Sequence, residues 1–217
     1  MFLHLLFPNR CIECSKIISA EELVCELCFR KINFTHHYFG RDNQLKQECK
    51  LLFPIENAFA LMQFEKESLS RKIVHSLKYG KREKVGKILA NWTKERISFE
   101  QELPDLITTV PLHPKKLRER GYNQLHLFAD LLSTHFRIPR DHQLLRRNLY
   151  KKAQAKKSKS ERVVTENLFS LNKEISGKHV LIIDDVFTTG NTMSSVAWEI
   201  LKNSGNRVSI LVIALDE

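Results

Sequence analysis

Four short stretches alternate or run apolar over strand lengths and end at breakers: AFALMQF (58–64), DLITTVP (105–111), KHVLIIDD (178–185) and RVSILVIAL (207–215). Their β-branched and aromatic content, with Pro111 closing the second, predicts buried strands. Between them the spacing changes to three and four. LSRKIVHSLKYGKREKVGKILANWTKERI (69–97) predicts two helices broken at Gly80, GYNQLHLFADLLSTHF (121–136) an amphipathic helix, and MSSVAWEILKNSG (193–205) another. Strands that alternate with helices in this way predict an α/β fold with a mostly parallel sheet flanked by helices. Residues 1–50 show little periodicity and are rich in Cys, His and aromatic residues. They predict a small metal-stapled module with a connector, and 51–217 the main domain.

Charge changes this picture in one place. The chain of 217 residues carries 35 Lys plus Arg against 25 Asp plus Glu, a formal net charge of +10. That balance favours a polyanionic partner: nucleic acid, a phosphorylated metabolite or an anionic surface. Residues 140–162 concentrate it, with few large apolar residues, and predict an exposed, mobile loop. No apolar run approaches a membrane span. The apolar opening MFLHLLFP is short and lacks a basic leader, so it does not read as a signal peptide.

Four of the five cysteines form CIEC (Cys11, Cys14) and CELC (Cys25, Cys28), and Cys49 stands apart. Each CxxC turn can aim two thiolates at one point, and a ten-residue spacer lets two such turns close a tetrahedral Zn²⁺ shell. A closed four-thiolate site keeps no open position, which predicts a structural role. His4, His36 and His37 read as surface histidines, and Cys49 as a small semi-buried residue. An odd cysteine count without an export signal predicts the reducing cytoplasm.

The stretch VLIIDDVFTTGNT (180–192) carries the candidate chemistry. A strand ending in two carboxylates, then a Gly-containing loop and a helix, can hold phosphate on backbone N–H groups and Thr or Asn side chains. The carboxylates would face a polar group beside that phosphate, such as a sugar diol. Neither GxGxxG nor a Walker A loop is present. An ordinary strand-to-helix turn with the acids capping nearby N–H groups is the plainer alternative.

This block resembles the motif of type I phosphoribosyltransferases that binds 5-phosphoribosyl 1-pyrophosphate (PRPP). Chain-wide, CIEC…CELC, VHSLKYGKR (74–82), VPLHPKKLRERGYNQ (110–124), the region from Gln154 to Phe169 and IIDDVFTTGNT resemble the ComF family of bacterial competence proteins in order. The resemblance implies that Asp184 and Asp185 hold the ribose 2′- and 3′-hydroxyls, and that Thr188, Thr189, Gly190, Asn191 and Thr192 cradle the 5′-phosphate. It implies a pyrophosphate loop after DLITTVP, with Lys115, Lys116, Arg118 and Arg120 as cations and Gly121 allowing close backbone approach. Read on charge alone, KKLRER is a solvated helical face. The basic segment would be the loop that closes over PRPP, with Arg147, Gln154 and Arg162 at family pattern positions, Arg147 and Arg162 being the catalytic candidates. Lys78, Lys81 and Arg82 would approach the acceptor or nucleic acid, or simply carry surface charge.

Two functions are compatible with these residues. One is an enzyme that binds PRPP with Mg²⁺ and transfers the phosphoribosyl group to a nitrogen acceptor. The other is a non-catalytic competence factor that uses the same fold to bind PRPP or the phosphates of single-stranded DNA, alongside proteins of the competence machinery. The two can both hold; the acidic pair and the TTGNT loop favour PRPP binding over contact with backbone phosphates alone, because two carboxylates would repel DNA.

Overall fold

The computed structural model describes residues 8–79, 82–99, 102–148 and 168–216, with Arg82 described by its backbone alone. Four strands, β1 (Ala58–Phe64), β2 (Leu106–Thr109), β5 (His179–Phe187) and β6 (Arg207–Asp216), form one parallel sheet in the order β1-β6-β5-β2. Its register aligns Ala58 with Ile210, Ile183 with Leu211 and Thr109 with Ile183. All four C-terminal ends therefore open on the same edge, which is where open α/β sheets place ligands.

The sheet is buried on both faces because its strands are apolar at odd and even positions alike. Phe59, Leu61, Leu181, Ile183, Leu211 and Ile213 belong to one core, with helices α3 (Leu69–Tyr79), α4 (Arg82–Lys94) and α6 (Leu125–Phe136). Ala58, Ala60, Val180, Ile182, Val208, Ile210 and Val212 belong to the other, with α2 (Gln44–Lys50) and α7 (Asn191–Leu201). Phe128 of α6 is fully enclosed on the first face, and Val196 and Ile200 of α7 on the second.

The cysteine module does not hang from this domain by a tether. Cys11, Cys25, Cys28, Leu23 and Val24 share the first core with Phe59, Ile73 and Leu89. Short helix α1 (Glu26–Phe29) brings Phe29 against Trp92 of α4, their ring centroids 5.3 Å apart, and Phe34 joins them. Arg96 sits 4.0 Å above the Phe34 ring, and Lys72 pairs with Glu13 at 2.9 Å. Cys49 is fully buried, beyond the semi-buried position expected of it.

Three expectations change. First, β5 continues through the carboxylates to Phe187, so Asp184 and Asp185 sit inside the strand's last turns of pleat and not at its end. Second, the basic segment begins in order. Leu145–Arg147 (β3) pairs antiparallel with Phe169–Leu171 (β4), and Leu144, Leu145 and Phe169 fill the second core. Residues 140–148 are thus anchored by apolar burial; residues 149–167 lie outside the described residues. Third, Pro114–Arg120 forms a helix, α5, between β2 and α6. Pro114 opens it, where a missing N–H costs nothing, and Gly121 closes it at φ 80°, a left-handed conformation that favours glycine.

Two side-chain clusters fasten these elements. Asn206, 8% exposed, accepts from the Lys178 N–H at 3.0 Å and donates to the carbonyls of Ile175 and Ile200 at 3.0 and 2.9 Å. At the start of α6, the rings of His126 and His142 stack 3.9 Å apart, and Asp130 bonds His142 at 2.7 Å and pairs with Arg140. Burial first, then the cationic potential of His142 and Arg140, brings His126 down to about 4 against the pull of Asp130.

Asn206→Ala removes the partner of three backbone groups, one of them buried and two partly buried, and should lower unfolding free energy by about 1–3 kcal/mol; an unchanged urea midpoint would contradict that role. His126 gives a second expectation. Its folded pKa lies below its unfolded one, so the unfolded chain binds more protons between about 6.5 and about 4. Stability is complete above that window and falls as pH drops through it. His126→Asn should flatten the decline in urea midpoint between pH 7 and 5, and parallel declines in the two proteins would sink the assignment.

Candidate functional site

The site forms in the last residues of β5, where it has run past β2 but is still paired with β6. Its apolar run ends at Ile183, and the next two side chains are half-buried carboxylates. The Asp185 N–H donates to Asp184 Oδ1 at 2.8 Å, which turns the first carboxylate back on the chain. Burial and the Asp185 charge push Asp184 up to about 8, opposed by that N–H, Lys78 and Arg147. Phe187 then turns the chain inward, and Thr188 and Thr189 emerge exposed.

Gly190 begins α7 at φ 71° and is buried. A Cβ there would collide with the Leu52 side chain and would stand 2.8 Å from the Phe187 ring. Both conformation and space thus demand glycine. Asn191 and Thr192 follow as the exposed first residues of α7. The leading N–H groups of a helix have no partner within it and carry partial positive charge, so this turn suits an anion.

Asp185 is held from outside β5. Lys78 Nζ, in the last turn of α3, lies 3.1 Å from Asp185 Oδ2, and both side chains are largely shielded, at 25% and 15% exposure. Gln124 Nε2 donates to the same oxygen at 2.9 Å. Gln124 is buried and its Oε1 accepts from Arg120 at 2.9 Å; Arg120 also donates to the Tyr79 hydroxyl at 3.1 Å and lies 4.9 Å over that ring. Beside it, buried Asn123 donates to the Val110 carbonyl at 3.0 Å and accepts from the Leu125 N–H at 3.0 Å. The YNQ segment is therefore a clamp. Asn123 ties the exit of β2 to the entrance of α6, and Gln124 ties α6 to the acidic pair.

The expected cations divide. Lys115, Lys116 and Arg118 lie exposed on α5, and Arg120 points inward to Gln124 and Tyr79. The segment expected to hold pyrophosphate is a short connection at 110–113 followed by that helix, with Gly121 exposed at its end. Arg147 on β3 lies 5.3 Å over the Phe169 ring and within electrostatic reach of Asp184. Gln154, Arg162 and Lys81 lie outside the described residues, as does the side chain of Arg82. Sequence reasoning left Lys78 between acceptor contact and surface charge and gave Gln124 no role of its own. The only signals were a lysine ending an amphipathic helix and membership in the GYNQ string.

The four cysteines Cys11, Cys14, Cys25 and Cys28 have sulfurs all within 4.8 Å of one another, with Cys14 and Cys25 Sγ 3.7 Å apart. A tetrahedron with Zn–S bonds of about 2.3 Å has sulfur–sulfur edges of about 3.8 Å, so the cluster fits the ion. Among the described residues no other group of His, Cys, Asp and Glu is gathered this way. Burial opposes charge on Cys11, but N–H groups of Cys14, Cys25 and Glu13 and the Cys14 thiol bring it down to about 6. Burial and the neighbouring thiols push Cys28 up to about 12. Four thiolates cannot share this volume without a cation, and the arrangement supports structural zinc.

Comparison with known proteins agrees with both halves. Residues 2–39 match the double zinc ribbon domain and residues 126–216 the phosphoribosyl transferase domain. The chain is 30% identical over 207 residues to competence protein ComFC of Bacillus subtilis (strain 168), covering 90% of this chain and 80% of that one. It is 25% identical over 206 residues to DNA utilization protein YhgH of Escherichia coli O157:H7, covering 92% and 87%. Among solved structures, adenine phosphoribosyltransferase from Leishmania tarentolae is 14% identical with a TM-score of 0.38, covering 82% and 90%. A similarity of that size carries no argument. No helix among the described residues is long and apolar enough to cross a membrane.

Because Cys11, Cys25 and Cys28 sit in the first core, losing the ion should loosen more than the ribbon. Cys11→Ser should release zinc, read by elemental analysis, and lower the thermal midpoint of the whole chain. A full zinc complement in the variant would refute the four-thiolate shell.

Proposed function

We propose that this chain, which belongs to the ComF family of competence proteins, binds PRPP at the C-terminal edge of its sheet and transfers the phosphoribosyl group to a nitrogen acceptor. The observation that supports this most directly is the junction of β5 and α7. There an acidic pair is followed within five residues by a glycine whose left-handed conformation and close side-chain neighbours disfavour any Cβ, and then by a helix start carrying Asn and Thr. A site for backbone phosphates alone has no use for two carboxylates. A ribose 5-phosphate needs both features: acceptors for its hydroxyls and donors for its phosphate.

In this reading Asp184 and Asp185 accept from the ribose 2′- and 3′-hydroxyls. Backbone N–H groups and side chains of Thr188, Thr189, Gly190, Asn191 and Thr192 hold the 5′-phosphate. Lys115, Lys116 and Arg118 face the departing pyrophosphate from α5, and Arg147 and Arg162 enter from the basic segment. An acceptor nitrogen forms a bond to C1 as the C1–oxygen bond to pyrophosphate breaks, and the nitrogen sheds its proton to solvent. Asp185 is already engaged by Lys78 and Gln124, which suits Mg²⁺ carried on substrate oxygens and water better than a protein cage. Bound in that way, Mg²⁺ would neutralise pyrophosphate charge.

The exposed cations of α5 favour a second reading in which the same face contacts single-stranded DNA without catalysis. The names of the relatives, competence protein and DNA utilization protein, support a setting in DNA handling for either reading; DNA uptake in the cytoplasm, beside the proteins of the competence machinery, is part of the proposal.

Calorimetric titration of the zinc-loaded protein with PRPP and Mg²⁺ should give saturable binding. Asp184→Asn/Asp185→Asn should weaken it roughly 100-fold or more, since two charge-assisted hydrogen bonds are lost. If the folded wild type binds no PRPP, the enzymatic reading fails and DNA contact leads.

A further inference from the structure

The acidic pair is half-buried in the second half of β5, directly after the apolar run Val180–Ile183, and four elements outside β5 converge on it. Lys78 comes from α3, Gln124 from the start of α6, Arg120 from α5 behind Gln124, and Arg147 from β3. Of these three cations, Lys78 is the one in direct ion-pair contact with a carboxylate oxygen of the pair, at 3.1 Å. Arg120 spends its guanidinium on Gln124 and Tyr79. We propose that Lys78 is the positioning residue of the acidic pair, orienting the Asp185 carboxylate and supplying the positive charge against which both carboxylates accept from a vicinal diol. This rests on the reading of the site as a ribose-binding one.

The geometry argues for orientation. Lys78 Nζ and Gln124 Nε2 converge on one oxygen, Asp185 Oδ2, which fixes the rotation of the carboxylate and turns Oδ1 the other way. Asp184 is fixed in turn by the Asp185 N–H on its own Oδ1. Each carboxylate is thereby pinned through one oxygen and keeps the other for a ligand. Lys78 is itself held in place by its neighbour. Tyr79 accepts from Arg120, so the end of α3 is fastened to the site at two consecutive residues.

Charge argues the same way. Burial and the Asp185 charge work against ionising Asp184, and Lys78 is the first of the cations that oppose them. A diol donates two hydroxyl protons and needs two acceptors, so the pair binds best when both carboxylates are ionised. Removing Lys78 should therefore move the midpoint for binding to higher pH. A lysine that merely stapled α3 to the sheet would change stability and leave that midpoint alone.

The test uses full-length zinc-loaded protein, wild type, Lys78→Met and Lys78→Arg. The Asp carboxyl carbons are titrated by NMR without ligand, Asp184→Asn serving to assign the pair, and PRPP affinity is measured with Mg²⁺ from pH 6 to 9. Lys78→Met should shift the Asp184 titration upward by about one pH unit and weaken PRPP binding about tenfold at pH 7. Raising the pH should restore the affinity, and Lys78→Arg should track the wild type. An unmoved carboxyl titration in Lys78→Met, or an affinity loss equal at every pH, overturns the role of Lys78. A wild type that binds no PRPP, with the titration shifted as expected, overturns the functional reading and leaves the charge coupling standing.

Discussion

Two adjacent carboxylates within a doubly buried strand cannot both be charged unless other parts of the chain come to meet them. That requirement organises the site. Ile182 and Ile183 are fully buried, so β5 cannot shift to carry Asp184 and Asp185 into water without exposing its core face. Compensation has to arrive from neighbouring elements. It does so from α3 through Lys78, from α6 through Gln124 and from β3 through Arg147. Each of these elements is fixed to the sheet by its own apolar residues, Leu77, Leu125 and Leu145 among them. Packing thus sets the electrostatics, and not the reverse. The carboxylates themselves contribute little to stability, because burying a charge and pairing it nearly cancel.

The same logic extends to the cysteines. A small ribbon cannot bury enough apolar surface to fold alone, and a metal is one remedy. Here a second remedy is added, since Cys11, Cys25 and Cys28 face the core that also holds α3 and α4. The Phe29–Phe34–Trp92 cluster and the Lys72–Glu13 pair widen that contact. The ribbon therefore buttresses α3, the helix whose last turn presents Lys78 and Tyr79. Zinc and the acidic pair are connected through one rigid helix, although no residue touches both.

Much of this was legible in the sequence, and for identifiable reasons. The four sheet strands declare themselves because strands buried on both faces are apolar at nearly every position. The cysteine pairs and the DD-TTGNT block are legible because their chemistry is local, set by residues a few places apart. The β3–β4 ribbon was not. Each strand has three residues, Arg146 and Ser170 face outward, and the pairing closes across a lysine-rich stretch that reads as loop. The helix at 114–120 was legible in its charge, which reads as a solvated helical face, and in Pro114 and Gly121 as start and stop signals; the resemblance had set that reading aside in favour of a loop. Lys78 and Gln124 were hardest, because their roles depend on an approach to Asp185 from far along the chain. Periodicity places a residue on a helix face and cannot say what that face will meet.

The positive charge of the chain consequently serves two ends that composition cannot separate. Lys78 and Arg120 are shielded and tied to Asp185, Gln124 and Tyr79, where they balance a charge the fold has created. Lys115, Lys116 and Arg118 stand exposed on α5, beyond that network. Salt screens the second group strongly and the first weakly, because shielded pairs lie outside the reach of mobile ions. A net charge of +10 is therefore a poor guide to affinity for nucleic acid. Only the exposed portion is free to attract a polyanion at a distance. The shielded portion makes an acidic pair tolerable inside a basic protein, and that balance is local, set by a few side chains at the sheet edge and not by the overall charge.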